Sequence, residues 1–391
     1  MIVSEIRDQF KALQQGHVYL DNAATSLTPK FVLDKMYEYY TEYPGSVHRG
    51  NYAWVDKASH EYESVREKVS NWCNASDYTV VYTPGATQSS NYVVTNCLPL
   101  GIKMYHTCLN DHHANMVPHR LNNTPVTQKS FDNLGLIDEE TILDGVLDAH
   151  MLHISGVFNA TGQILDYKKI TAEAKSKGAY VALDMSQHMS HSSLDANDIG
   201  ADFYYWSAHK HYGPTGIGIL LIKNELVDRM KPLIGGGMQV LSVTENNIVW
   251  NDDATKFEAG TPNIAGVIGM GASIDFMENI GMDVIHNHVS KCTESIYNGL
   301  LERKVPIVGE TLPLEKRGGL VSFTIPGLHS FDVGTEMGLY GIYIRSGKLC
   351  AHPVVDAMST SGFLRASPGV NTNEVDIARF FDVLDSVLTN G

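Results

Sequence analysis

Residues 151–186 read MLHISGVFNATGQILDYKKITAEAKSKGAYVALDMS, and this stretch decides the fold. MLHISGV (151–157) is a short β-rich run, and AYVALDMS (179–186) is another. Between them LDYKKITAEAKSKG (165–178) carries a helical pattern and ends in Gly178, as a glycine-capped helix does. Strand, helix, strand is a βαβ unit, and such units build parallel sheets. Working outward, VVYTPG (80–85), ADFYYWS (201–207) and IGILLIK (217–223) are further strand-like runs set among helical patterns. After about residue 262 the pattern changes. A long helical segment (265–303) precedes the strand-like GGLVSFTIPG, LYGIYIRSG and FLRASPG, and a terminal helix is expected near 373–388. The expectation is an α/β chain in two parts. Residues 1–262 would form an N-terminal arm and a large domain with a mainly parallel central sheet, and residues 263–391 a smaller α+β domain.

The bulk numbers agree with two parts. The 391 residues exceed the size at which one hydrophobic core stops growing. A formal charge of −15 gives phosphate backbones nothing to bind, so nucleic acid is excluded as a partner. Five cysteines form no CxxC pair, and their number is odd, which fits a reducing, cytoplasmic setting rather than a disulfide framework. MIVSEIRDQFKALQQG (1–16) is charged and amphipathic, without the apolar run of a signal peptide. No stretch of 18 apolar residues exists, so no membrane span is expected.

Six stretches carry side chains suited to chemistry. SAHKHYGPTGIG (207–218) sets Lys210 just after a strand, between Ser207 and His209 and a glycine-rich turn. A Schiff-base lysine needs a rigid, partly desolvated setting of that kind, and Ser207 and His209 could hold a phosphate. A surface lysine in a loop would read the same. ALDMSQHMSH (182–191) places Asp184 at the end of a buried strand, with Gln187 nearby. A carboxylate there suits a pyridine nitrogen, although a helix-capping Asp is the commoner meaning. TPGATQSSN (83–91) follows a strand and opens a helix, so Ala86 and Thr87 suit a phosphate at a helix N-terminus. NDHHAN (110–115) carries His112 and His113 without a Cys or Glu at metal spacing, so no metal site is expected. IRSGKLCAHP (344–353) surrounds Cys350 with Arg345, Lys348 and His352, cations that would favour its thiolate. FLRASPGVNT (363–372) offers Arg365, a planar clamp for a carboxylate or else a surface ion-pair partner.

Taken in order, with YLDNAAT (19–25) and SVHRG (46–50) ahead of them, these stretches resemble the cysteine desulfurases of the class V aminotransferase group, which have the pyridoxal-phosphate (PLP) fold type I. The resemblance runs almost end to end. It implies that Lys210 carries the cofactor, Asp184 faces its pyridine nitrogen, Gln187 its phenolic oxygen, and His112 stacks on its ring. It further implies phosphate contacts from Ala86, Thr87, Ser207 and His209. Thr261, in EAGTPN (258–263), would reach the phosphate bound by a second subunit of a homodimer. Asn159, in FNATGQ (158–163), would touch the ring and the substrate, and Arg365 would clamp the substrate carboxylate. Cys350 would take the sulfur of L-cysteine as a persulfide, release alanine, and pass the sulfur to an iron–sulfur scaffold or another thiol acceptor. Three positions depart from the pattern: Lys348 and Leu349 stand where the family usually has two histidines, and Val370 where an aromatic is common. A selenocysteine lyase, transaminase or epimerase of the same fold is the alternative, as is a degenerate relative acting as a binding subunit. L-cysteine turnover separates them.

Overall fold

A computed structural model describes residues 3–390. Its centre is a seven-stranded sheet of β1 (Tyr78–Thr83), β2 (Met104–Cys108), β3 (Val126–Lys129), β4 (His150–Ser155), β5 (Tyr180–Asp184), β6 (Phe203–Ser207) and β7 (Gly218–Lys223). The spatial order is β1-β7-β6-β5-β4-β2-β3. The four ladders among β2 to β6 are parallel, whereas β7 runs antiparallel to both β6 and β1. The βαβ unit read from residues 151–186 is present, with its helix at Tyr167–Ser176 and Gly178 at φ +79° behind it. Burial of strand side chains on both faces explains their near-continuous Val, Ile, Leu and Tyr content.

IGILLIK does not follow a crossover helix. Only residues 208–217 separate β6 from β7, which is too short for a parallel return, so the chain reverses and pairs Ser207 with Gly218. That reversal is the turn carrying Lys210. Glycine is required where it closes: a Cβ on Gly218 would sit 2.6 Å from the Trp206 carbonyl and 2.7 Å from Gly85 Cα. The Gly85 turn and the Lys210 turn therefore approach each other backbone to backbone.

The helical segment expected after residue 262 is two helices. The helical segment breaks at Gly281 (φ +94°) into helices Ile264–Ile280 and Met282–Glu302. The first is buried along most of its length, giving Ile264, Val267, Ile268, Met270 and Ile274 to the main core against helices Lys30–Glu42 and Ala53–Trp72, with Glu278 and Asn279 exposed near its end. The second gives Cys292, Ile296 and Leu300 to a separate core with β8 (Val321–Phe323), β10 (Phe363–Ala366) and helix Glu374–Asn390. β9 (Arg345–Gly347) completes an antiparallel sheet in the order β8-β10-β9. Val18 and Leu20 join this second core, and Val18 pairs with Ile342. Phe276, Met277 and Ile280 of the first helix also share a core cluster with Ile285 and Val289 of the second, so packing continues across Gly281. Burial of apolar surface decides this, and sequence order does not record it.

Candidate active site

Three neighbouring strands end together. Ser155 of β4 registers with Asp184 of β5, and Asp184 with Tyr205 of β6, two residues before Ser207. Carboxyl ends of parallel strands are where α/β sheets hold ligands. A cavity of about 720 Å³ opens there. It is lined by Ala86, Thr87, His112, Asn159, Asp184, Gln187, Ser207, His209, Lys210, Cys350 and Arg365, so the fold gathers every expected site residue except Thr261. Thr261 lies in a separate cleft beside Gln88, Gly216 and Asn263.

At one end, Gly85 (φ +155°) leads into helix Ala86–Asn96, and the Ser207 hydroxyl accepts the Ala86 N–H at 2.8 Å. A Cβ at Gly85 would come within 3.2 Å of that hydroxyl. The bare turn leaves a polar concavity of helix N-terminus, Ser207 and His209, a place for an anion. His209 is set from the N-terminal arm: its Nδ1 lies 3.2 Å from Thr25 Oγ1, and its carbonyl accepts the Ser26 N–H at 2.8 Å.

At the centre, Lys210 lines the cavity, where desolvation pushes its amine below the usual lysine range against the opposing pull of Asp184; Arg365 adds to the lowering. A less basic amine is a readier nucleophile. Asp184 accepts the Ser186 N–H at 2.9 Å and the Asn115 amide at 3.3 Å. His112 caps helix His113–Leu121 by accepting the Ala114 N–H on Nδ1 at 3.1 Å. Burial first, then Lys210, His113 and Arg365, push His112 down to about 3, so it presents a neutral ring. The Gln187 amide donates to the Ala23 carbonyl at 2.9 Å, which ties the arm to the cavity wall.

At the far end, Arg365 is 3% exposed. It donates to the Asn159 carbonyl at 2.9 Å and to Asp21 at 3.4 Å. Its Nε and the Asn159 Oδ1 are buried without partners, so donor and acceptor capacity remains for a ligand. Cys350 is exposed, whereas the other four cysteines are buried. Leu349 and Cys350 both take left-handed backbone (φ +52° and +53°), a costly pair for residues with side chains. The loop is held by hydrogen bonds. Asn159 Nδ2 donates to the Leu349 carbonyl at 2.5 Å, the His113 N–H to the Cys350 carbonyl at 2.9 Å, and the His352 N–H to His113 Nε2 at 3.2 Å. Leu349 is buried among Ala160, Val308, Val354 and Phe363, which anchors the loop from below.

Arg345, Lys348 and His352 all line the cavity with Cys350, and two of these cations also face carboxylates. Lys348 is paired with Asp356, and Arg345 faces Asp21 at 3.6 Å. Both carboxylates lie outside the quoted 344–353 stretch.

Sequence reading also missed Asp21, His113, Asn115 and Asp111. Asp21 stands inside the quoted YLDNAAT and the others inside NDHHAN, but nothing local shows what each faces. Asp111 accepts the N–H groups of Cys108 and Ser155, both at 2.9 Å, and burial raises it to about 6. Buried polar residues at strand ends were the available signal.

Residues 18–380 match the family described as Aminotransferase class-V. A probable cysteine desulfurase of Pyrococcus abyssi is 35% identical over 387 residues, covering 96% of this chain and 95% of the relative. The apo structure of the cysteine desulfurase of Thermococcus onnurineus NA1 superposes with a TM-score of 0.94 at 32% identity, over 99% of this chain and 98% of that one. The S-sulfonic acid form of the cysteine desulfurase CsdA of Escherichia coli gives 0.90 at 30% identity, over 100% and 99%.

Proposed function

The chain belongs to the class V aminotransferase family, and from that premise we propose that it is a PLP-dependent cysteine desulfurase, converting L-cysteine to L-alanine with transfer of sulfur to Cys350. One observation carries the reading: a thiol, a lysine amine and a buried guanidinium line a single cavity. The bare Gly85 turn, the desolvated Lys210 amine and the unpartnered Arg365 Nε fit PLP with an amino-acid substrate beside it.

When bound, PLP supplies an aldehyde that condenses with amines and a pyridine ring that draws electrons from the substrate α-carbon. The residues supply the rest. Ala86, Thr87, Ser207 and His209 hold the phosphate at the helix N-terminus. Lys210 Nζ anchors the cofactor and then, once displaced, takes the α-proton of the substrate and returns a proton. Asp184 would hold the ring nitrogen, Gln187 the phenolic oxygen, and the neutral His112 ring would support the cofactor ring. Arg365 holds the substrate carboxylate with Asn159 beside it. Cys350 Sγ, as thiolate, attacks the substrate sulfur. The S–S bond forms as the C–S bond breaks, its electron pair stays on carbon, and protonation there gives alanine. The exposed Cys350 persulfide is then open to a protein or small thiol acceptor.

Incubation with L-cysteine should yield alanine in one-to-one ratio with sulfide once a reductant frees the persulfide. Alanine without sulfur release, or neither product, would overturn the reading. Arg365→Lys keeps a charge but loses the fork. It should raise KM for L-cysteine roughly tenfold to a hundredfold, as losing a hydrogen bond to a charged group of about 1.5–3 kcal/mol does. The bound-cofactor absorbance should stay unchanged.

A homodimer completes this reading. Thr261 is exposed outside the Lys210 cavity. The hairpin formed by Val240–Val243 and Ile248–Trp250 displays Leu241, Val243, Ile248 and Val249 to solvent. Exposed apolar surface of this kind marks an interface. Sedimentation should give twice the 43.1 kDa chain mass, and a fully active monomer would contradict it. Among the described residues no helix is long and apolar enough to cross a membrane, and the thiol chemistry suits a reducing cytoplasm.

A further inference from the structure

The Asp184 carboxylate is the end of a file of buried polar groups that the reaction above does not use. Asn115 Nδ2 lies 3.3 Å from Asp184 and 3.1 Å from Ser155 Oγ. Tyr205 Oη lies 2.7 Å from Asn115 Oδ1 and 2.7 Å from His153 Nε2. His153 Nδ1 lies 2.9 Å from His119 Nε2, and His119 Nδ1 lies 3.0 Å from Thr124 Oγ1. Asn115, His153 and Tyr205 are fully buried, and His119 is 1% exposed. All of these lie outside the lining of the 720 Å³ cavity.

The hydrogens in this file can run only one way. A carboxylate oxygen only accepts, so Asn115 must turn its NH₂ to Asp184 and its carbonyl to Tyr205. The Tyr205 hydroxyl hydrogen is thereby committed to Asn115. The Ser90 hydroxyl hydrogen is likewise committed, to the Ala114 carbonyl at 2.6 Å, while its oxygen lies 3.4 Å from His153 Nε2. Two oxygens with no hydrogen left to give therefore face His153 Nε2, which must carry the proton. His153 is neutral, since burial holds it well below the usual range, so its Nδ1 must accept. His119, also pushed down by burial, to about 4, then donates from Nε2 and accepts from Thr124 on Nδ1. Every member is satisfied in one direction only, and such a network rigidifies its end group.

We propose that Tyr205, His153 and His119 are positioning residues that act through Asn115, fixing the Asp184 carboxylate in the orientation that faces the cofactor ring. The proposal rests on the PLP reading above. It assigns work to four residues of β4, β6 and the helix behind His112, none of which touches the cavity.

The test is titration of PLP into the full-length wild type and its variants, with visible-region circular dichroism per bound cofactor as the signature of ring orientation. Tyr205→Phe removes one oxygen and keeps the ring. It should weaken PLP binding roughly tenfold and reduce the dichroism per bound PLP, as loss of one member of a satisfied buried network does. Asn115→Leu should do the same. Because Tyr205 acts only through Asn115, the double variant should bind PLP within about twofold of Asn115→Leu alone. Wild-type affinity and dichroism in Tyr205→Phe, or full additivity in the double variant, would overturn the proposal. If Tyr205→Phe does not fold, the far end decides. His119→Gln keeps an N–H donor near the Nε2 position and should preserve the dichroism, whereas His119→Leu should lower it; equal behaviour of the two rejects the relay. Wild type that takes up no PLP is a distinct outcome, which removes the cofactor reading and this proposal with it.

Discussion

Cys350→Ser abolishes alanine release from L-cysteine, by about a hundredfold or more, while PLP binding and binding of L-cysteine persist. The expectation follows from where the thiol sits. Cys350 is the exposed residue of a loop pinned through main-chain carbonyls and N–H groups, so exchanging its side chain leaves the pinning intact. Lys210, Asp184 and Arg365 are untouched, so cofactor and substrate should still bind. The step that fails is attack on sulfur, for which a serine hydroxyl is far weaker than a thiolate. Alanine measured for both proteins, with mass spectrometry for a gain of about 32 Da on the wild-type Cys350 peptide, reads this step directly. Undiminished alanine from the mutant would move the chain to another PLP lyase or transaminase activity. Leu349 sharpens the comparison. It stands where the family usually has a histidine, and here it is buried as the anchor of the loop.

Lys210→Ala should lose the covalent hold on PLP altogether. Desalting should strip the cofactor that wild type retains, and borohydride reduction should leave no label on any lysine. Alanine production should fall by about a thousandfold to ten-thousandfold, since one side chain supplies both the anchor and the proton transfer at the α-carbon. The Gly218–Gly85 contact that seats the Lys210 turn involves backbone alone, so the mutant should fold with the thermal stability of the cofactor-free wild type. A reducible lysine adduct in the mutant would place the anchor elsewhere.

Much of this site is legible in the chain itself because its parts are local. The lysine turn, the Asp184 strand end, the Gly85 turn and the Arg365 strand are each a short stretch whose pattern names its own element. What each side chain faces is another matter. Arg365 and Asp21 are 344 residues apart, Asn159 and Leu349 are 190 apart, and His352 and His113 are 239 apart. The carboxylates that face the cations beside Cys350 are of the same kind. Arg345 and Lys348 line the cavity with the thiol, and the sequence does not show that Asp21 and Asp356 also face them.

The sequence by itself determined the α/β class, the strand–helix alternation, the family resemblance and the residues Lys210, Asp184, Cys350 and Arg365. Periodicity, turn chemistry and motif order are properties of adjacent residues, and no fold is needed to see them. Tertiary structure alone decided that β7 runs antiparallel, that the long helical segment breaks at Gly281, and that residues near Val18 join the core of β8 and β10. It alone decided that Leu349 points inward, and that Asn115, Tyr205, His153 and His119 line up behind Asp184. Those outcomes depend on which buried surfaces and buried polar groups meet. Burial rewards only groups that satisfy one another in three dimensions, and one-dimensional order does not specify those meetings.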